Sequence, residues 1–221
     1  MFIGHFAVAL GAKRAAPAVS LGTLILACQF ADLLWPTLVL TGVEHVAIAP
    51  AITAVTPLDF QSYPYSHSLM MLSVWAALVA LVYRMARSSA TTAALLVIAG
   101  VVLSHWVLDV ASHRPDMPLI PGNDTKVGLG LWNSVPATIA VEAAMFITGL
   151  WIYLRTTTAR DRTGTVALWA LVAFLAVVNV ANLYAPPPPD AAAVAWTAQA
   201  IWLLVAWGYW IDRHRAAKGM A

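Results

Sequence analysis

The chain has 221 residues, of which 61% are hydrophobic and only 10% are charged, and its formal net charge is +2. Its mean hydropathy of +0.78 excludes an ordinary soluble globular protein. The single cysteine, Cys28, excludes an intramolecular disulfide. The basic residues are few and spread over short connections, so we expect no nucleic-acid partner.

Apolar segments of membrane-spanning length follow one another along the chain. A spanning helix needs about 20 mostly apolar residues, and the apolar runs indicate six such helices after one shorter helix. We expect the short helix at about 2–12 and the long helices at about 17–40, 66–85, 90–112, 131–154, 164–184 and 191–211. The predicted fold is all-α: a polytopic transmembrane helical bundle, with residues 1–221 forming one integral membrane domain.

The N-terminal stretch lacks the pattern of a cleaved signal peptide. No basic residue precedes its apolar run, and the pair Lys13 and Arg14 follows that run. We therefore expect His5 to be retained in the mature protein.

Basic residues alternate between the predicted connections, and this alternation predicts an orientation. Successive connections lie on opposite sides of the membrane, and 10 of the 12 Lys and Arg residues fall on one side. Only Arg114 and Lys126 lie in connections on the other side. The positive-inside rule places the more basic set of connections, including the C-terminus, in the cytoplasm. The loops 41–65 and 113–130 are then expected on the outer side of the membrane.

Three ionisable residues close the apolar run that begins near residue 90. His105, Asp109 and His113 are four residues apart, so they share one face of a helix. An ionisable side chain within a bilayer is costly and marks a functional site by default. A hydrogen-bonded polar pair between helices is the alternative interpretation of His105 and Asp109.

Further His and Asp residues converge on the same level. Asp32 lies late in the predicted 17–40 helix, His67 opens the next helix, and His5 begins the chain. The predicted topology places each of them within roughly 10–15 Å of the outer boundary, at about 1.5 Å per helical residue. His67 at a helix start and His5 on an N-terminal surface are the alternatives without a metal.

His and carboxylate ligands together are typical of sites for zinc, manganese or iron. We expect one or two divalent ions, most simply Zn²⁺. The candidate metal ligands are His5, Asp32, His67, His105 and Asp109.

Other polar residues are candidates for catalysis and substrate binding. Glu142 lies in the middle of a predicted helix, where it is a metal ligand, a general base or a buried partner of an asparagine. His113 is a second candidate for proton transfer or for supporting a ligand. Arg114 and Lys126, with Asp59 nearby, are candidates for binding an anionic headgroup, and ordinary ion pairing between loops is the alternative.

The order of these motifs resembles a known family. It is similar to the bacterial inner-membrane family of LexA-regulated, membrane-bound metal-dependent hydrolases over about residues 1–120. The matching residues are His5, Asp32, Tyr65-Ser66-His67-Ser68 and Ser104-His105-Trp106-Val107-Leu108-Asp109. The resemblance implies a metal site formed by these His and Asp residues, hydrolase activity and a location in the bacterial inner membrane.

The chain departs from this family at the second helix. Many members have Pro-Asp-x-Asp-His there, whereas Asp32 is followed by Leu33, Leu34 and Trp35. The resemblance therefore does not extend to a second metal that relies on the additional acid and histidine.

These observations favour a hydrolase that uses a metal-activated water on a lipid ester or phosphoester at the outer leaflet. Its site would face the periplasm, and its partners are the lipid bilayer and a lipid-like substrate. Two alternatives remain: a transporter or proton carrier that uses the same cluster, and a non-catalytic membrane protein with a structural metal.

Overall fold

A computed structural model describes residues 1–219 and confirms the predicted helical class. The helices are α1 (Ile3–Ala12), α2 (Leu21–Cys28), α3 (Phe30–Leu40), α4 (Pro64–His67), α5 (Leu69–Ala86), α6 (Thr92–Ser112), α7 (Val135–Thr156), α8 (Arg162–Tyr184), α9 (Ala191–Ala198) and α10 (Ile201–Arg213). Five spans have the length and hydropathy needed to cross a membrane, and a bent pair makes a sixth. The assignment of the whole chain to one domain stays a prediction.

The bent pair replaces the continuous helix that we expected over 17–40. Helices α2 and α3 meet at Gln29 with an angle of 53° between them. Gln29 has φ −106° and ψ 11°, which is outside the regular α-helical values. The bend turns the start of α3, which carries Asp32, away from the axis of α2.

Two long helices begin three to four residues later than the hydropathy pattern indicated, since side chains cap them. The Ser68 hydroxyl accepts a hydrogen bond from the backbone N–H of Met71 at the start of α5. The Ser134 hydroxyl does the same for Ala137 at the start of α7. Such caps satisfy N–H groups that have no partner within the helix. Hydropathy cannot locate these ends, because the capping residues are short and neighbour apolar ones.

Three short antiparallel sheets lie in the connections. They pair β1 (His45–Ile48) with β2 (Leu58–Ser62), β3 (Met117–Pro118) with β4 (Lys126–Val127), and β5 (Thr157–Ala159) with β6 (Arg215–Ala217). The first two sheets order the loops after α3 and α6. The third joins the α7–α8 connection to the segment after α10.

Helix α1 is an inner helix of the bundle. Its ten residues extend about 15 Å, half the thickness of a bilayer core, and it packs against α2, α6 and α7. The contact with α7 is close, because a Cβ atom on Gly149 would collide with the carbonyl of Ala7. This packing fixes the position of His5, which is fully buried.

Candidate metal centre

Four helices bring the five predicted ligands together. Helix α1 contributes His5, α3 contributes Asp32, α4 contributes His67, and α6 contributes both His105 and Asp109. All are buried except Asp32, whose side chain is 29% exposed. The residues that we selected from the sequence as ligands are therefore neighbours in space, and their binding of a metal stays a prediction.

A first group of potential ligand atoms surrounds the carboxylate of Asp109. Its Oδ1 lies 3.1 Å from His5 Nε2, and its Oδ2 lies 3.0 Å from His105 Nε2. The two imidazole rings stack with their centroids 3.9 Å apart. Both ring nitrogens thus point towards one carboxylate.

A second group shares His105 with the first. Asp32 Oδ1 lies 3.4 Å from His67 Nε2 and 3.8 Å from His105 Nε2. Within each group all ligand atoms lie within 4.8 Å of one another. Tetrahedral zinc with bonds of about 2.0–2.1 Å separates its ligand atoms by about 3.3 Å, so the spacing suits a metal of this size.

The hydrogen bonds of His105 determine which of its nitrogens faces the site. Its Nδ1 lies 2.7 Å from the carbonyl oxygen of Cys28, so Nδ1 carries the proton and donates it. A continuous helix would pair that carbonyl with the backbone N–H of Asp32, whereas the bend at Gln29 leaves it for the ring. Nε2 then faces carboxylate oxygens, and a cation bound between them would remove this contact between acceptors.

A buried carboxylate orients His67 in the same manner. Glu44 Oε2 accepts the hydroxyl of Ser66 at 2.5 Å, and the same Ser66 oxygen lies 2.6 Å from His67 Nδ1. Glu44 Oε1 also accepts the backbone N–H groups of Tyr65 and Ser66. The chain of hydrogen bonds assigns the proton to Nδ1 of His67 and leaves Nε2 free for Asp32.

Sequence reasoning missed Glu44. It lies in a loop with no periodic pattern, and 22 residues separate it from Ser66. The only local signal is the serine next to His67, since a hydroxyl there can connect the imidazole to an acid. That pattern is too common to identify the acid itself.

The α-amino group of Met1 also reaches Asp109. It donates to Asp109 Oδ1 at 2.6 Å and to Ser112 Oγ at 3.0 Å. This positive charge stabilises the buried carboxylate. A cation that binds at Oδ1 would share this oxygen with the amine, whereas Oδ2 lies 3.0 Å from His105 Nε2 and 3.9 Å from His67 Nε2.

Glu142 lies beside the centre and binds backbone. Its carboxylate accepts the N–H of Phe2 at 3.1 Å and that of Gly4 at 3.3 Å. These donors belong to the first turn of α1, where a negative charge is favourable. Glu142 thereby helps to position His5, and its role in proton transfer stays a prediction.

His113 lies just beyond the end of α6, at the wall of a cavity. Its Nδ1 is 2.9 Å from Asp116 Oδ1, and the Tyr63 hydroxyl donates to the same oxygen at 2.9 Å. Burial lowers the pKa of His113 and raises that of Tyr63. A neutral imidazole can accept a proton, which is compatible with a role in proton transfer. That role of His113 stays a prediction.

The predicted headgroup-binding residues are partly engaged with one another. Arg114 forms ion pairs with Asp59 and with Asp116, the latter at 3.1 Å. The Lys126 ammonium donates to the carbonyl of Gln61 at 3.3 Å. Ion pairing between loops is thus present, and binding of an anionic group by these residues stays a prediction.

A cavity of about 210 Å³ borders the second ligand group. Its polar lining comes from Asp32, His67, Asp109 and His113. The remaining lining is apolar or aromatic: Met1, Trp35, Leu58, Phe60, Trp132, Val194, Ala198 and Ile201. An apolar chamber with a few converging polar groups is typical of a small-molecule site.

No protein-family model, no curated protein and no solved structure matches this chain. The fold and the site thus define a multi-span helical membrane protein with a buried His/Asp cluster, and no family is identified.

Proposed function

We propose that the protein is a membrane-embedded, metal-dependent hydrolase that cleaves an ester or phosphoester bond of a lipid. The observation that carries the proposal is the orientation of His105. Its Nδ1 is engaged by the Cys28 carbonyl, so its Nε2 points at Asp32 and Asp109. The resemblance of residues 1–120 to membrane-bound metal-dependent hydrolases supports the same conclusion.

The donor set of three imidazole nitrogens and two carboxylates fits Zn²⁺, and Mn²⁺ and Fe²⁺ share these preferences. One ion would suit either ligand group. His105 has only Nε2 available, because its Nδ1 is bonded to the Cys28 carbonyl, so it would bind no more than one ion. A divalent metal held there supplies Lewis acidity and lowers the pKa of a bound water towards neutrality.

The side chains around the cavity have distinct proposed roles. His113 borders the cavity and has Asp116 as its partner, so we assign it proton transfer. Glu142 holds the first turn of α1 and is the second candidate for that role. Arg114 and Lys126, with Asp59 as the partner of Arg114, are proposed to bind an anionic headgroup.

The walls of the cavity favour a lipid as the substrate. Val194, Ala198 and Ile201 belong to the last membrane span, and Leu58 and Phe60 come from the loop sheet after α3. An acyl chain would bury apolar surface against them. The polar side chains that line the cavity would then face the ester or phosphoester group.

The exposure of Asp32 favours catalysis over a purely structural metal. A structural zinc site is closed by four protein ligands, whereas a catalytic site keeps a position open. Asp32 is 29% exposed in its side chain and borders the cavity. Substrate therefore has a route to the proposed metal.

The proposed setting is the bacterial inner membrane. We propose that the cavity faces the periplasm and that the C-terminus lies in the cytoplasm, an orientation that the positive-inside pattern favours.

Metal analysis of detergent-purified protein tests the proposal. We expect about one or two equivalents of a divalent metal in the wild type and loss of metal and lipid hydrolysis in Asp109→Ala and His105→Asn. Asparagine can still donate to the Cys28 carbonyl, so His105→Asn removes Nε2 with little disturbance of the bend. His45→Ala, at an exposed position on β1, is the matched control.

Two results would refute the hydrolase. The first is a wild type that binds no divalent metal after reconstitution. The second is a folded His105→Asn variant that keeps its metal and full turnover.

A further inference from the structure

A second cavity lies at the other end of the bundle. It measures about 240 Å³ and contains three basic side chains and one carboxylate. Its lining is Lys13, Pro17, Ala18, Ser20, Arg160, Asp212, Arg215, Ala216 and Ala217. None of these residues belongs to the proposed metal centre.

The helix directions separate the two cavities. His5 is near the start of α1 and Lys13 follows its end, eight residues or about 12 Å further along the axis. Helices α7 and α10 end at the second cavity and α8 begins there. Three membrane spans thus terminate around this cavity, where the headgroup layer of one leaflet is expected.

Asp212 is already engaged with the end of α1. Both of its oxygens accept the Lys13 ammonium at 3.3 Å, and one also accepts the backbone N–H of Leu21. Lys13 donates in addition to the carbonyl of Val19 at 2.7 Å. Among residues 1–219 Asp212 is the only carboxylate that lines the cavity, and its hydrogen bonds go to Lys13 and Leu21.

Arg215 is a buried cation with neutral partners. Its exposed fraction is 6%, and its guanidinium donates to Thr157 Oγ1 and to the carbonyl of Gly164. These are three hydrogen bonds from a group with five N–H donors. Among residues 1–219 no carboxylate lies within 4.0 Å of its nitrogens. A buried charge without a counter-ion is unfavourable.

Arg160 is the second arginine that borders this cavity. Its backbone N–H binds the carbonyl of His214, which holds it beside β6. Its side chain is exposed and borders the cavity, and in the described part of the chain it forms no salt bridge. Two guanidinium groups thus line a cavity in which the one carboxylate of the described lining is hydrogen-bonded to Lys13.

We propose that this cavity binds a phosphate group through Arg160 and Arg215. Guanidinium groups bind phosphate oxygens with paired, charge-assisted hydrogen bonds. Within residues 1–219 the Arg215 guanidinium forms three hydrogen bonds with its five N–H groups, which leaves donors for a phosphate. The phosphate belongs either to inorganic phosphate or to the headgroup of an anionic phospholipid. The site is independent of the proposed hydrolase chemistry at the other end.

Thermal unfolding of the full chain in detergent tests the proposal, with tryptophan fluorescence as the signal. Inorganic phosphate is titrated at constant ionic strength against chloride. We expect a saturable rise of the wild-type Tm and at least a ten-fold weaker phosphate affinity in Arg160→Gln. Arg87→Gln removes an exposed arginine of another connection and should change the affinity less than two-fold.

A second variant and a lipid arm complete the test. Arg215→Lys keeps the buried charge but lacks the planar guanidinium with its paired N–H donors, so the affinity of this variant for phosphate should also fall. In nanodiscs, native mass spectrometry shows whether the protein retains phosphatidylglycerol. Retention of this lipid, together with loss of the Tm response to inorganic phosphate, identifies a lipid headgroup as the ligand. A persistent response to inorganic phosphate identifies the free ion.

Two outcomes would overturn the phosphate site. One is the absence of both the phosphate response and phosphatidylglycerol retention in the wild type. The other is a response that survives in Arg160→Gln but disappears in His105→Asn, which would place the phosphate at the metal centre. Failure of the hydrolase proposal changes neither readout of the Arg160 variant, so the two proposals fail separately.

Discussion

Glu44→Gln is the substitution that tests how the proposed metal centre is oriented. The amide oxygen of glutamine can still accept the N–H groups of Tyr65 and Ser66. Its NH₂ group replaces Oε2 and cannot accept the hydroxyl of Ser66. The hydroxyl then turns towards His67 Nδ1, which becomes the acceptor. The imidazole proton moves to Nε2, the atom that faces Asp32.

The size of the effect follows from the hydrogen bond that is lost. A hydrogen bond to a charged group contributes about 1.5–3 kcal/mol, and about 1.4 kcal/mol corresponds to a factor of ten in an equilibrium constant. We therefore expect Glu44→Gln to weaken metal binding by about 10–100-fold, which is the usual range for residues that support a metal ligand. The helices should remain folded, because Glu44 lies in a loop after α3.

Chelator competition measures the metal affinity, and ¹⁵N NMR of the imidazoles reports the tautomer of His67. Ser66→Ala removes the connecting hydroxyl and should give a loss of similar size. Asp190→Asn is a matched control, because this exposed acid caps α9 and touches no ligand. A metal affinity within two-fold of the wild type, together with an unchanged His67 tautomer in Glu44→Gln, would refute the proposed orientation by Glu44.

Three further predictions concern stability. Gly149→Val should destabilise the fold by about 1–3 kcal/mol, because the new side chain would collide with the Ala7 carbonyl. The control Gly100→Ala has open space around its Cβ and should not lower the Tm. Equal Tm values for the two variants would contradict the close packing of α1 on α7. A hydrogen bond from His214 lowers the pKa of Asp161 in the folded protein below its ordinary value of 3.8. The ionised Asp161 therefore stabilises the folded state above pH 3.8, and this stabilisation is lost as the pH falls through the pKa of the folded state. The Tm difference between wild type and Asp161→Asn should therefore narrow in acid, and a difference independent of pH would exclude this coupling. Chelation of a metal present at about 100 times its Kd should remove about 2.7 kcal/mol of stability, and an unchanged Tm would argue against a metal in the folded protein.

The site could be predicted in part because helical spacing is a local property. Four residues separate His105 from Asp109, so their common face follows from the helix period alone. Ionisable groups are costly in a bilayer, so Asp32 and His67 could be predicted as members of a functional site. The distances between these side chains depend on how four helices pack, and no local pattern contains that information.

The bend at Gln29 illustrates what sequence patterns leave open. Residues 21–40 are mostly apolar, so hydropathy indicates one helix, while the structure contains two at 53°. The bend has a counterpart on another helix, since the Cys28 carbonyl is bonded to His105 Nδ1. A hydrogen bond between residues 77 positions apart decides the local geometry.

Composition and hydropathy alone predict the membrane class, the number of apolar segments and the residue types of the cluster. Each of these follows from composition and from periodicity over a few turns of helix. Only the packing of the folded chain shows the contact of Glu44 with Ser66, the burial of α1 and the burial of Arg215 among neutral hydrogen-bond partners. These features depend on which distant groups share a water-poor space, because burial strengthens electrostatic contacts and penalises every polar group without a partner.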